Sequence, residues 1–302
     1  YGTASGTYLW QTDATDASAR TPGEVTISGL TPNTKYYYRM KYHIPGETDW
    51  VTRPEYSFWT QRAPGSSFTF TITSDGHSET TGVPGTLHAR TWTNVKADRP
   101  DFNLDLGDAF ILGGLSSQTA VNNKVLTQRG ASYFGAVSNS AAIYLAAGNH
   151  EDEEGWNLDD APFSIGVASI QARKWYYPTP VDGSFYSGNS DPLAAIDEAT
   201  YGDELREDYY AWQWGDVLFV VIDPFQYTMN LPYAPGAAGE GKDDAKTGDQ
   251  WSWTLGARQY NWLKQTLEGS AAKYKFVFSH QMLGGIPRDL NDGGEPGYVR
   301  GG

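Results

Sequence analysis

The chain has 302 residues, enough for one large domain or two ordinary ones. Hydrophobic residues make up 39% and aromatic residues 14%, so the chain can bury a core, which argues against global disorder. Its net charge of −14 argues against nucleic acid or an anionic membrane as the main partner, and the absence of Cys excludes disulfides, zinc–thiolate sites and a cysteine nucleophile. A small phosphorylated substrate stays open, because bound cations can dominate a local field. No run approaches the ~18 apolar residues that a membrane span needs, so no membrane insertion is expected. The acidic, Lys-poor composition, rich in Tyr, Trp, Gly, Thr and Asn, reads as secreted or extracytoplasmic, whether periplasmic or extracellular.

Residues 1–63 read as all-β. Tyr8–Trp10, Glu24–Ile27, Lys35–Met40 and Tyr56–Trp59 are strand-like runs separated by turn residues such as Thr21-Pro22-Gly23 and Pro45-Gly46. Leu30-Thr31-Pro32-Asn33-Thr34-Lys35-Tyr36-Tyr37-Tyr38 resembles the corner opening a late strand of fibronectin type III domains. In such a corner a Tyr hydroxyl, here that of Tyr36, bonds back to nearby backbone. A whole module needs about seven strands over roughly 90–100 residues, so the front part is read as a partial fibronectin type III-like sandwich that lacks its first strands.

Arg62 to Ser67 reads as a linker, and residues 64–302 as a second, α/β domain in which strands alternate with helical stretches. Predicted strands are Phe68–Thr73, Phe102–Leu106, Ala141–Ala147 and Lys275–Phe278, with a hairpin of 209–214 and 217–222 turning at Gly215-Asp216. Helices are predicted over 85–97, 118–137 and 257–267. Residues 152–208 read as an irregular insertion whose acidic start, Asp152-Glu153-Glu154, is a solvated loop. Its aromatic stretches, 174–178 and 185–186, are either a cleft wall or ordinary packing. Residues 229–250, with Asp243-Asp244, read as a second long loop, and Arg300 sits in a Gly-rich tail.

The chemistry lies where the polar residues fall. Four separate strands end in Asp75/His77, Asp108, Asn149/His150 and His280. In open α/β sheets ligands bind beyond the carboxyl ends of the strands. Six such side chains delivered to one edge form a mixed nitrogen and oxygen donor set, which suits Zn, Fe or Mn. Gly76, Gly107 and Gly148 allow sharp turns and keep side-chain bulk away. His43 and His88 read as structural or solvated.

In order, Ser74-Asp75-Gly76-His77, Leu106-Gly107-Asp108, Gly148-Asn149-His150-Glu151 and Phe276-Val277-Phe278-Ser279-His280 resemble the motifs of the calcineurin-like metallophosphoesterases. Residues 209–219 and 259–264 resemble the secreted branch that includes the purple acid phosphatases. The resemblance implies a four-layer αββα sandwich and two divalent or trivalent metal ions. One ion would be held by Asp75, His77 and Asp108, the other by Asp108, Asn149 and His280, with Asp108 bridging. It further implies that His150, oriented by Glu151, contacts the phosphoryl oxygens and protonates the leaving group, and that a metal-bound hydroxide attacks phosphorus with no covalent enzyme intermediate.

Two departures accompany it. Ile111 stands where purple acid phosphatases carry a metal-binding Tyr, so a Tyr-ligated centre is not expected. The family's final Gly-His-x-His is missing, since the five His residues are 43, 77, 88, 150 and 280, and the chain is read as truncated at both ends. The competing reading is a non-catalytic extracellular binding or structural protein that uses the phosphoesterase fold as a scaffold.

Overall fold

Alternation along the strands sets the layers. The structure, a computed structural model, describes residues 1–18, 21–77, 85–158, 163–227 and 255–280. In the second part, β5 (Phe70–Thr73), β6 (Phe102–Asp105) and β7 (Ala142–Leu145) form a parallel sheet. A second sheet has the order β11 (Tyr274–Phe278), β10 (Val217–Val221), β9 (Tyr210–Trp214), β8 (Tyr186–Gly188). Within it β10 runs antiparallel to β9 and parallel to β11.

Every second residue faces the opposite sheet. Phe102, Leu104 and Tyr144 from one sheet meet Tyr210, Trp212, Trp214, Val217, Phe219 and Val221 from the other in a largely aromatic core. Trp212 stacks on Tyr144 at 4.0 Å between centroids and on Phe219 at 5.1 Å. The intervening residues face outward. Ile143 and Leu145 pack with α1 (Gly85–Asp98), α2 (Gln118–Thr127) and α3 (Ile165–Tyr176) through Trp92, Val121, Val125, Ala168 and Ala172. Ala211, Leu218, Val220 and Ile222 pack with α5 (Gly256–Gly269) through Trp262, Leu263 and Leu267. The result is a mixed α/β architecture with helices outside two facing sheets.

Several expectations are corrected. The predicted helix 118–137 ends at Thr127, because Gly130 turns back onto the Thr127 carbonyl and Phe134 N–H reaches the Gln128 carbonyl; a 3₁₀ turn follows at Phe134–Ala136. The stretch 152–208 is not wholly irregular. It contains α3, capped by the Ser164 hydroxyl accepting from Val167 N–H, the short helix α4 (Glu198–Tyr201) and β8. Nor is the acidic run at 152–154 solvated: Glu153 and Glu154 are both 2% exposed. Glu153 is taken by the buried Arg173 guanidinium at 2.7 Å. Burial raises the pKa of Glu154, with Asn157 donating to its carboxylate at 2.9 Å. The 229–250 loop with Asp243-Asp244, and Arg300, lie outside the described residues.

In the front part β1 (Lys35–Tyr38) pairs antiparallel with β4 (Tyr56–Trp59), and β2 (Lys41–His43) with β3 (Trp50–Thr52). Tyr36 is buried, and its hydroxyl accepts the Thr31 N–H at 3.0 Å. The runs 8–10 and 24–27 are not strands. Leu9, Trp10 and Val25 are exposed, and Trp10 bonds back to Tyr1, its N–H to the Tyr1 carbonyl at 3.1 Å and its carbonyl to the Tyr1 ammonium at 2.7 Å, rather than joining a ladder. The Arg62 guanidinium ties the two parts together. It lies 3.4 Å from the Trp59 ring centre and pairs in two-pronged fashion with buried Asp101 at 2.5 and 3.0 Å, which also accepts the Trp214 indole N–H.

Candidate metal centre

Parallel pairing brings the ends of β5, β6 and β7 to one edge, and backbone bonds lock the loops that follow. Leu106 N–H donates to Thr73 O, Asp75 N–H to Gly107 O, and Ala146 N–H to Asp105 O, at 2.8–3.0 Å. The loops are tight. Asp75, His77 and Asp108 have φ of +53°, +36° and +57°, a region that non-glycine residues enter mainly as Asn, Asp or His. Gly107 has φ +106°, and a Cβ on it would lie 2.4 Å from Gly148 N; a Cβ on Gly148 would lie 2.3 Å from Asp108 Oδ1. Only two glycines let these loops come so close.

Asp108 sits at the centre, 3% exposed. Its Oδ2 is 3.1 Å from His77 Nε2 and 3.9 Å from His150 Nε2. Its Oδ1 is 3.5 Å from His280 Nε2 and accepts the His150 backbone N–H at 2.9 Å. Asp75 Oδ1 is 3.9 Å from His77 Nε2. Asn149 Oδ1 is 3.1 Å from His280 Nε2. All six predicted donor and proton-transfer side chains, Asp75, His77, Asp108, Asn149, His150 and His280, are thus brought together. Two sets of donor atoms are spaced to hold a cation: His77, Asp108 and His150, and Asp75, Asp108 and His280. Asp108 belongs to both.

The donor chemistry fits metal ions. His280 Nδ1 lies 3.0 Å from the Leu106 carbonyl, which can only accept, so Nδ1 carries a proton and Nε2 is the nitrogen turned to the site. Nε2 faces the oxygens of Asn149 and Asp108. Such converging nitrogen and oxygen donors suit a cation, and mixed imidazole and carboxylate donors suit Zn, Fe or Mn. The ions' number and identity do not follow from the geometry.

Glu151 has other partners than the His150 ring. Its fully buried carboxylate accepts four backbone N–H groups: Asp108 at 2.8 Å and Gly148 at 2.7 Å on Oε2, Ala109 at 2.8 Å and Phe110 at 2.9 Å on Oε1. It clamps the loop that carries Asp108 to the loop that carries Asn149 and His150. Burial and the Asp108 charge raise its pKa; the N–H donors oppose them.

Sequence reasoning missed Asp105. It is buried under the site, accepting the Thr73 hydroxyl at 2.6 Å and Gly107 N–H at 3.1 Å, and burial pushes its pKa to about 7. An acid on a strand face turned toward helices was the available signal. Asp152 was placed in a solvated loop, yet burial, then the Asp108 charge, raise its pKa to about 6.

No protein-family model matches the chain, and no curated protein does. Among solved structures it is similar to a purple acid phosphatase isolated from yellow lupin (Lupinus luteus) seeds. The TM-score is 0.49 at 14% identity, over 87% of this chain and 40% of that one. The chain therefore spans two-fifths of the lupin protein's length, and a likeness this distant says nothing about activity. What characterises the site is its own arrangement: two donor groups that share the single buried carboxylate of Asp108.

Proposed function

We propose that the chain hydrolyses phosphate esters at a centre of two metal ions. The supporting observation is Asp108, whose two oxygens face opposite ways, Oδ2 toward His77 and Oδ1 toward His280. Asp75, His77 and Asp108 would hold one ion, and Asp108, Asn149 and His280 the other, a grouping that differs from the two atom sets above in placing Asp75 with His77 and in keeping His150 for proton transfer. When bound, two such cations act as Lewis acids, polarising the phosphoryl group and lowering the pKa of a water. The chain's own residues do the rest. Asp108 fixes the spacing of the two donor sets. The Leu106 carbonyl keeps the proton on Nδ1 of His280. The His150 side chain is 40% exposed, beside both His77 and Asp108, and can hand a proton to a departing alkoxide. Its backbone N–H, bonded to Asp108, keeps the ring over the site.

We further propose that the substrate is a small phosphorylated molecule and, from the acidic, Lys-poor composition, that the protein works outside the cytoplasm. The test is hydrolysis of a chromogenic phosphate ester with and without added metal, together with metal analysis of two variants. His150→Ala is expected to keep its metal and lose most of kcat, and Asp108→Ala to lose both. Equal metal loss in the two variants refutes this division of roles. A chain that binds no metal and turns over no ester is a scaffold instead.

A further inference from the structure

A charged cluster that takes no part in the proposed hydrolysis lies buried at the start of β9 and the end of β10. Five carboxyls in it are at most 7% exposed: Glu153, Glu154, Glu207, Asp208 and Asp223. Three buried cations face them, Arg173, Lys174 and Arg206. Arg173 takes Glu153, and Lys174 Nζ takes Glu207 at 3.0 Å. Arg206 lies between Asp208 and Asp223, its Nε 2.8 Å from the first and its Nη2 3.3 Å from the second. Two carboxylate charges are left unmatched. A buried carboxyl without a cation takes up a proton instead. One such proton falls to Glu154, which among the described residues meets the neutral Asn157 amide and no cation.

The other falls to Asp208 and Asp223. The β9–β10 register pairs Tyr210 with Val221, and two residues further on it sets Asp208 opposite Asp223. Cβ atoms of directly opposed residues lie about 4.5–5.5 Å apart, so the two carboxyls face each other. Neither Asp208 oxygen accepts a hydrogen bond, since Arg206 Nε approaches as an ion pair without the alignment of one, and a proton has a place there. Burial, then the Asp208 charge, raise the pKa of Asp223, and Arg206 opposes them. Of the other groups that face the pair, Tyr209 and Tyr227 stay neutral because burial raises their pKa, and Asp191 is tied to Arg258 at 2.9 Å. From α5, the uncharged Gln259 bonds the Asp223 backbone.

The pair holds the segment that follows the His150 turn. Arg206 Nη2 donates to the Glu153 carbonyl at 2.7 Å. Asp223 Oδ1 accepts the Phe225 N–H at 2.7 Å, and the Phe225 carbonyl accepts the Gly155 N–H at 3.1 Å. Two ionised carboxylates beside one guanidinium repel each other and pull at both anchors.

We propose that Asp208 and Asp223 share one proton, and that this proton is a latch on residues 153–155, closed in acid and released as pH rises. A group that holds its proton more tightly folded than unfolded contributes fully below the ordinary carboxylate range. It loses that contribution as pH climbs through its folded pKa. The proton belongs to the pair, so neutralising either member removes the response.

The experiment is amide hydrogen exchange of the chain between about pH 5 and pH 8, read as protection factors so that the intrinsic pH dependence of exchange drops out. In the parent, Gly155 N–H is expected to lose at least about tenfold in protection relative to the amides of the β9–β10 ladder, which report the stability of the whole fold. Asp208→Asn keeps the size of the side chain without the charge, and is expected to hold the Gly155 value within about threefold over the same range. Asp223→Asn, which keeps an oxygen for the Phe225 N–H, gives the same test from the other side of the pair should Asp208→Asn not fold. Glu154→Gln is expected to show the parent's loss. Gly155 and the ladder changing together in the parent, or the full loss persisting in both Asn variants, overturns the latch. If Glu154→Gln abolishes the loss, the responsible proton sits on Glu154 and the shared-proton assignment falls.

Discussion

Replacing Glu151 by Gln changes almost no volume and removes one charge, yet it should be among the most damaging substitutions near the site. The carboxylate accepts four backbone N–H groups, two on each oxygen. An amide keeps one oxygen and turns the other position into a donor, so at least two N–H groups lose their acceptor in a fully buried place. Each buried orphan costs about 1–3 kcal/mol, giving a loss on the order of 2–6 kcal/mol. Part of that loss falls on metal binding, because the clamp sets Asp108 against Asn149 and His150. Thermal unfolding followed by circular dichroism should show a markedly lower Tm, and isothermal titration with Zn²⁺ or Mn²⁺ should show weaker binding. If Glu151 served only to orient His150, Glu151→Gln would leave Tm and metal affinity unchanged and lower kcat alone. That outcome would refute the clamp.

Further outcomes follow from the same geometry. Gly148→Ala should displace Asp108, since its Cβ would lie 2.3 Å from Asp108 Oδ1; loss of bound metal read by mass spectrometry checks this. Arg62→Ala strands buried Asp101 and should cost about 3–5 kcal/mol in chemical denaturation. Asp105 is raised from 3.8 to about 7 in the folded chain, so the folded state holds a proton that the unfolded state releases. Its contribution is full below pH 3.8 and is lost as pH rises to about 7, with a slope of up to about 1.4 kcal/mol per pH unit in the metal-free protein. Asp105→Asn should remove that slope relative to the parent between pH 4 and 7; unchanged pH dependence would show that Asp105 is already ionised there.

The convergence of these side chains at one sheet edge was legible in the sequence because each directly follows a short apolar strand, a local pattern that needs no knowledge of distant contacts. The same holds for the hairpin at Gly215-Asp216 and for the Tyr36 hydroxyl, whose partner is five residues away. What went unread depends on distance along the chain. Glu153 looks like surface until Arg173, twenty residues on, is folded against it. Glu151 looks like a partner for the neighbouring His150, while its true partners at 108–110 are about forty residues upstream. The runs at 8–10 and 24–27 have strand composition, but composition does not reveal whether a partner strand exists.

The most direct measurement is the number of metal ions bound per chain, by mass spectrometry after loading with Zn²⁺ or Mn²⁺ and removal of the excess, for the parent and for Asp108→Ala. A shared carboxylate predicts two ions in the parent and at most one, weakly held, in the variant. A parent chain that binds none, or a variant that still holds two, contradicts it.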